Sequence, residues 1–161
     1  MITNLSGNCL SCHSYPFTTF SNFSFQKVDI ANHFSLAQVF HQHHFDRVLH
    51  MAAQAGVRYS LEHPEVYVQS NLVGFANILE QCRQHKIAHL IAASSSSVYG
   101  LNSKVPFSEN DSTDSPISFY GASKLACEGM FSAYSSLYGF NAVVYRFANI
   151  IGTRGTHGVI R

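Results

Sequence analysis

Apolar runs typical of strands alternate along the chain with segments whose apolar residues recur at helical spacing, and this alternation constrains the fold most. The strand-like runs cover residues 23–30, 47–53, 88–94 and 141–150. The helix-like segments lie between them, at residues 35–44, 64–86 and 120–139. A chain that repeats strand, helix and strand in this way builds parallel βαβ units. The predicted fold class is therefore α/β, with a doubly wound parallel sheet.

Residues with strong positional preferences mark the ends of the predicted helices. Ser35 suits the N-cap of the first helix, and Pro64 suits the first turn of the second. Gly139 suits the C-cap of the third helix, where a left-handed residue is often needed. Ligands of doubly wound sheets bind beyond the carboxyl ends of the strands. The site is therefore expected at the sequences MAAQAG, AASSSS and FANIIG, which end three of the strands.

The composition fits one globular domain with a surplus of apolar residues. The 161 residues are 46% hydrophobic and 12% charged, so the chain can bury a core and still expose apolar surface. A net charge of +1 gives no reason to expect nucleic-acid binding. No apolar stretch approaches the length of a membrane span, and the N-terminal residues lack the pattern of a signal peptide. We therefore expect a cytoplasmic domain that binds neither nucleic acid nor membranes.

The first residues contain a pattern that resembles a metal or haem site. Cys9, Cys12 and His13 spell Cys-x-x-Cys-His, the attachment sequence of c-type haem. That chemistry requires an exported chain, and the Ser-, Asn- and Thr-rich surroundings show no periodicity. Residues 1–22 are therefore interpreted as an unrelated or disordered leader with free thiols.

Other residues with metal-binding side chains are also expected to have ordinary structural roles. Four histidines cluster without a carboxylate or thiol to complete a ligand set: His41, His43, His44 and His50. Histidines suit the C-terminal end of a helix, so an exposed helix end is predicted for them. Cys82 and Cys127 fall within helical patterns and are predicted to be buried thiols.

Tyr120 and Lys124 form a Tyr-x-x-x-Lys pair at the start of the third predicted helix, with both side chains on one face. A neighbouring ammonium favours the phenolate, so we expect Lys124 to lower the tyrosine pKa below its ordinary value of about 10. Such a phenol can accept a proton from a sugar hydroxyl. Ser95 ends the preceding strand and can bind the same hydroxyl. The Tyr-x-x-x-Lys pattern alone also fits a surface lysine beside a core tyrosine.

The order and spacing of several segments resemble the extended short-chain dehydrogenase/reductase family, in its sugar-nucleotide epimerase/dehydratase branch. Within residues 23–152 the matching segments are VDI, VLHMAAQAGVRYS, SNLVGFANILEQC, IAASSSSVYG, PFSEND, YGASK and YRFANIIG. The segments AAQAGVRYS and ASSSSVYG are most similar to UDP-glucuronate 4-epimerases. The segment RFANIIGTRGTHGVI is more similar to some UDP-glucose 4-epimerases. The resemblance thus implies a UDP-sugar substrate and a Rossmann-like domain, and it leaves the sugar open.

By position, the resemblance implies NAD as the cofactor and assigns roles to individual residues. The implied catalytic residues are Ser95, Tyr120 and Lys124. Besides Tyr120 and Lys124, the implied cofactor-binding residues are Asp29, Ile30, Met51, Ala52, Ala53 and Asn71. The implied substrate-binding residues are Ser95, Ser96 and Asn149. Family members pair through two helices, which implies a homodimer through the Tyr120 helix and its neighbour. The aromatic residues of that helix are expected in the core or on a dimer face: Phe131, Tyr134 and Tyr138.

The resemblance also implies a reaction. Tyr120 removes the proton of the sugar 4-hydroxyl while NAD accepts the hydride from C4, and hydride returns to the other face of the 4-keto intermediate. A dehydratase of the same family needs an additional acid–base pair, typically Asp-Glu, beside the serines. Ser96 and Ser97 stand at that place, which favours an epimerase over a dehydratase or reductase.

A glycine-rich phosphate-binding turn is absent where the family has one. Gly7 is the only glycine before Gly56, so no Gly-x-x-Gly-x-x-Gly turn precedes Asp29. The glycines of the sequence GTRGTHG do have this spacing, but only three residues follow them, too few for a phosphate-binding helix. The chain is divided into a leader (1–22), a partial NAD-binding domain (23–152) and the start of a truncated link to a substrate domain (153–161). Weak NAD binding, or a catalytically inert remnant that acts as an interaction module, is the alternative expectation.

Overall fold

The computed structural model describes residues 2–3, 21–139, 141–148, 150–151 and 159–160. The strands are β1 (Ile2–Thr3), β2 (Gln26–Lys27), β3 (Arg47–His50), β4 (His89–Ser95), β5 (Asn141–Phe147), β6 (Ile150–Ile151) and β7 (Val159–Ile160). The α-helices are α1 (His33–Gln42), α2 (Tyr59–Glu62), α3 (Pro64–Tyr67), α4 (Gly74–Gln84) and α5 (Phe119–Tyr138). A π-helix covers Val68–Val73, and a 3₁₀ turn covers Ser96–Tyr99.

Three features singled out in the sequence lie outside the described residues. They are the Cys-x-x-Cys-His pattern, the glycines of GTRGTHG, and Asn149, for which a substrate contact stays a prediction.

A parallel sheet with the strand order β3-β4-β5 forms the centre of the domain, and the predicted α/β class is confirmed. Arg47 pairs with His89, and His89 pairs with Asn141, so the three strands begin in register. Their carboxyl ends consequently meet at one edge, with MAAQAG and the serines side by side. Two further parallel pairs join β1 to β2 and β6 to β7.

Two predicted strands are shorter than their sequence patterns suggest. The run at residues 23–30 forms only β2, because the chain turns at Asp29, whose carboxylate accepts a hydrogen bond from the Ala31 amide. The predicted N-cap Ser35 is wrong. Asn32 caps α1, and its side chain accepts from the Ser35 amide at 3.0 Å. The run at residues 47–53 leaves the sheet after His50.

The segment predicted as one helix over residues 64–86 contains a π-helical turn. Pro64 begins α3 as expected, and α4 ends at Gln84. The π-helix between them widens the turn that carries Asn71. Short π-helical segments occur frequently at functional sites, and this one directs a buried amide toward the strand ends.

Helix α5 follows its prediction to within one residue at each end. The Ser118 side chain accepts from the Gly121 amide, and Gly139 closes the helix in the left-handed conformation at φ 69°. Phe131 is buried in the core, whereas Tyr138 is 49% exposed. Whether this exposed end belongs to a dimer face stays a prediction.

The core lies between the sheet and helices α1, α4 and α5. Leu79 and Leu90 are at most 1% exposed, and burying a side chain of this size stabilises the fold by about 1.5–3 kcal/mol. The opposite face of the sheet is open within the described residues, where Leu49 is 65% and Tyr145 is 51% exposed. The apolar surplus of the composition is thus visible on the surface.

Two expectations for single residues have different outcomes. Cys82 and Cys127 are buried free thiols, as predicted. The exposed position predicted for all four clustered histidines is wrong for His50, because β3 turns its ring inward onto Phe75. No group of three metal-binding side chains is found among the described residues, and no helix there is long and apolar enough to cross a bilayer.

Candidate active site

The carboxyl end of β4 and the first turns of α5 bring Ser95, Tyr120 and Lys124 into one site. Ser95 caps the 3₁₀ turn and accepts from the Ser97 amide at 3.2 Å. Gly121 lies against the Ser97 carbonyl so closely that a Cβ atom would stand 2.7 Å from its oxygen. The start of α5 therefore packs directly on the serine turn.

Ser95 lies beside the phenol of Tyr120, closely enough to lower its pKa. Burial nevertheless raises the tyrosine pKa, and Ser95 opposes this shift only in part. The predicted lowering of this pKa by Lys124 is therefore wrong. Desolvation of the phenolate outweighs the effect of Ser95.

Lys124 bonds to the sheet instead of the phenol. Its ammonium donates to the Ala93 carbonyl at 2.9 Å, and the residue is 5% exposed. Burial lowers the pKa of this lysine. Lys124 thus attaches helix α5 to the strand that ends in Ser95.

Asn71 connects the loop after β3 to helix α5. Its side chain accepts from the Gln54 amide at 2.8 Å and donates to the Gln54 carbonyl at 3.1 Å. It also donates to the Ser123 hydroxyl, which in turn donates to the Tyr120 carbonyl. Asn71 therefore supports the start of α5 from the loop after β3, and its implied contact with the cofactor stays a prediction.

The residues expected around the cofactor fall into two places. Four of them line one small cavity of about 10 Å³ at the ends of β3 and β4: Ala52, Ala53, Asn71 and Lys124. Met51 is 51% exposed beside them. Asp29 and Ile30 lie after β2, a strand that pairs with neither β3 nor β4 in the described residues. Asp29 is exposed, but the Ile30 side chain is fully buried, which leaves only its backbone for a ligand contact.

Tyr67 is a supporting residue that the sequence analysis did not identify. Its ring is fully buried and meets the Tyr120 ring edge-on, with centroids 6.0 Å apart. Its hydroxyl donates to the backbone carbonyls of Ala55 and Gly56. Tyr67 therefore fixes the loop after β3 next to the phenol. Its position in an apolar helical pattern gave no signal of this contact.

A cleft of about 930 Å³ lies beside this site between α5, β5 and the loop at residues 101–116. Ser96 and Tyr99 face it, whereas Ser95 and Tyr120 do not. Glu128 and Arg146 line its wall and form an ion pair with each other. Neither residue was predicted from the sequence to belong to the site. Ser96 lines this cleft, and its contact with a substrate stays a prediction.

His50 is expected to make the stability of the domain depend on pH. Burial, together with the charge of Lys124, lowers its pKa from 6.5 to about 3. Between these values the unfolded chain binds the proton and the native state does not, so the free energy of unfolding falls as pH falls. The expected slope is about 1.4 kcal/mol per pH unit below pH 6.5.

The variant His50→Gln removes this titration and should flatten the slope, whatever its effect on absolute stability. Urea unfolding at several pH values between about 4 and 7 measures it. The exposed His44→Gln is the matched control and should keep the slope of the unchanged chain. Parallel curves for His50→Gln and the unchanged chain would contradict the assignment.

Comparisons with known proteins agree with this geometry. A family model described as GDP-mannose 4,6 dehydratase matches residues 7–161. Protein CapI of Staphylococcus aureus is 48% identical over 134 residues, covering 83% of this chain and 40% of that protein. UDP-glucuronate 4-epimerase 3 of Arabidopsis thaliana is 47% identical over 128 residues, covering 79% of this chain and 30% of that protein.

A solved structure shares both the fold and the sequence pattern. The UDP-glucose 4-epimerase of Thermus thermophilus, in complex with NAD, is 36% identical with a TM-score of 0.74. The match covers 81% of this chain and 43% of that one. The chain thus spans less than half the length of each of these relatives. The family match begins within residues 1–22, and the proposed division of the chain into leader, domain and link stays a prediction.

Proposed function

Since the chain belongs to the NAD-dependent epimerase/dehydratase family, we propose that it carries the Ser-Tyr-Lys site of a sugar-nucleotide 4-epimerase. The observation that supports this most is that Ser95, Tyr120 and the buried Lys124 come together where β4 ends and α5 begins, with Ser95 close enough to the phenol to lower its pKa. A phenol beside a serine in a half-buried site suits proton transfer with a hydroxyl. The substrate class is a UDP-sugar, UDP-glucuronate or UDP-glucose.

Each residue of the site has a role in this proposed reaction. Tyr120 accepts the proton of the sugar 4-hydroxyl and later returns one, while Ser95 binds the same oxygen and orients it. Lys124 keeps the helix and the strand in place through the Ala93 carbonyl. Ser96 contacts the substrate from the wall of the large cleft. Asn149 contacts its diphosphate, as the resemblance implies.

NAD is the cofactor proposed for this chemistry, in which it accepts and returns a hydride at C4 of the sugar. The described residues fit its nicotinamide end. Ala52 and Ala53 are half-exposed and carry only methyl groups, so a flat ring can approach the end of β3. Lys124 lines the same cavity, and Tyr120 lies one helical turn before it on α5. Asp29 is exposed and can meet the adenosine end.

The direct test is to incubate the chain with NAD in millimolar excess and with either UDP-glucuronate or UDP-glucose. Formation of the UDP-galacturonate or UDP-galactose epimer, separated by chromatography, supports the proposal and identifies the sugar. A 4-keto-6-deoxy product would indicate a dehydratase instead. No conversion of either substrate would favour the alternative of an inert remnant.

We expect the isolated chain to bind NAD only weakly, because no glycine-rich turn precedes Asp29 to receive the pyrophosphate. Calorimetric titration with NAD should show no saturation below about 1 mM. ADP-ribose is the matched ligand without nicotinamide and should bind no better. Tight, saturable binding of NAD would contradict this expectation.

A dehydratase is the second candidate, because the matching family model carries that name. The serine run argues against it. Ser96 and Ser97 follow Ser95 where the additional acid–base pair of a dehydratase is expected. Hydroxyls at these positions cannot supply the carboxyl chemistry of water elimination, so the epimerase stays the preferred proposal.

A further inference from the structure

Glu128 lies on the same face of α5 as Tyr120 and Lys124, two helical turns after Tyr120 and one turn after Lys124. Its side chain is 13% exposed. It accepts a hydrogen bond of 2.5 Å from the Ser94 hydroxyl. It also accepts two from Arg146, through Nε at 3.0 Å and Nη2 at 2.8 Å. A carboxylate that accepts several charge-assisted hydrogen bonds restrains each element that donates one.

Arg146 extends this contact from the end of β5 to the loop that follows the serines. Its Nη1 donates to the Tyr99 hydroxyl and to the Glu109 carbonyl, both at 3.2 Å. Its guanidinium also lies over the Tyr99 ring, 5.1 Å from the centroid. The Tyr99 ring stacks in turn on Phe107. One guanidinium therefore holds the serine turn and the loop at residues 101–116 together.

The end of β4 is thus attached to α5 at two successive residues. Lys124 holds the Ala93 carbonyl, and Glu128 holds the Ser94 hydroxyl. The next residue is Ser95, which lies beside the phenol of Tyr120. A strand end held at two points cannot shift along the helix without breaking one of the bonds.

We propose that the Glu128–Arg146 pair is a positioning unit that sets Ser95 against Tyr120 and holds the loop at residues 101–116 at the cleft. The pair touches neither reacting atom and acts through Ser94 and Tyr99. The role in catalysis rests on the proposed 4-epimerase function. The role in ordering the strand end and the loop does not.

The ordering role is tested by amide hydrogen exchange on the 161-residue chain. Glu128→Gln keeps the size of the side chain and removes its charge. It should speed exchange over residues 94–116 by roughly tenfold and leave α4 unchanged. Glu80→Gln is the matched control, because Glu80 accepts from Arg83 through the same two nitrogens and bonds none of residues 94–116. It should leave residues 94–116 unchanged.

The catalytic role is tested by the pH dependence of kcat. Ser95 lowers the pKa of Tyr120, so displacing Ser95 should move the alkaline rise of kcat to higher pH. Glu128→Gln should show this shift together with a fall in kcat of about 10- to 100-fold and little change in KM. Ser94→Ala should shift the profile but leave the exchange of the loop unchanged.

The outcomes separate this proposal from the proposed function. If Glu128→Gln and Glu80→Gln have the same exchange over residues 94–116, the positioning unit is wrong. The positioning unit is also wrong if the chain is active and the pH dependence of kcat is the same in Glu128→Gln and Glu80→Gln. If the unchanged chain has no epimerase activity, the proposed function fails, and the exchange experiment alone decides on the ordering role.

Discussion

Replacing Tyr120 by phenylalanine is expected to lower the rate of 4-epimerisation by about 10²- to 10⁴-fold, the usual contribution of a positioned acid–base group. The phenol is the group that holds the transferred proton, and phenylalanine keeps the ring that packs on Tyr67. The fold should therefore persist while the chemistry is lost. The rate is measured as epimer formed per unit time with NAD and the UDP-sugar that the unchanged chain converts.

Tyr138→Phe is the matched control for this experiment. Tyr138 lies at the other end of α5, is 49% exposed, and contacts Arg83 instead of the site. Its variant should keep the full rate. A Tyr120→Phe variant that retains more than about a tenth of the rate would show that another group transfers the proton.

The raised pKa of Tyr120 adds a pH dependence to the same assay. Since burial favours the neutral phenol, the basic form becomes more abundant as pH rises, and the rate should increase toward alkaline pH. Desolvation sets the direction of the Tyr120 pKa shift, because the Lys124 ammonium donates to the Ala93 carbonyl and not to the phenol.

The sequence predicts best those features that depend on neighbouring residues along the chain. The C-terminal limit of α5 follows from Gly139, and Tyr120 and Lys124 share a face because of the helical repeat. The parallel order of β3, β4 and β5 also follows from alternation with helices. Each of these rests on local conformational preferences or on the handedness of βαβ units.

Features that depend on distant contacts were predicted poorly. The pKa of Tyr120 shifts in the opposite direction, because burial of the phenol is a property of the packed site. Glu128 and Arg146 are separated in sequence and meet only when β5 lies beside β4. The apolar spacing of residues 64–86 predicts one continuous helix and gives no sign of the π-helix around Asn71. Desolvation of a side chain and pairing across strands depend on tertiary packing, which the order of residues along the chain does not give.

The loop between the serines and α5 depends on one glycine, and Gly100→Ala is expected to destabilise the domain by about 2–6 kcal/mol. Gly100 has φ 52° and ψ −115°, a conformation that residues with a Cβ atom rarely adopt. An added Cβ would also stand 1.8 Å from the Ser115 carbonyl oxygen. That oxygen accepts from the Leu101 amide, so the clash opens the contact that closes the loop at its base.

Substitutions at two other glycines distinguish the two causes of this destabilisation, which are left-handed backbone strain and steric clash. Gly139 has φ 69° but nothing within 4 Å of an added Cβ, so Gly139→Ala should cost only the left-handed strain, about 1–2 kcal/mol. Gly129 lies within α5 with open space around it, so Gly129→Ala should stabilise the domain by about 0.5–1 kcal/mol. Urea unfolding of the three variants measures the order. If Gly100→Ala costs no more than Gly139→Ala, the backbone at Ser115 yields to the added methyl group, and the loop does not hold the serine turn against α5.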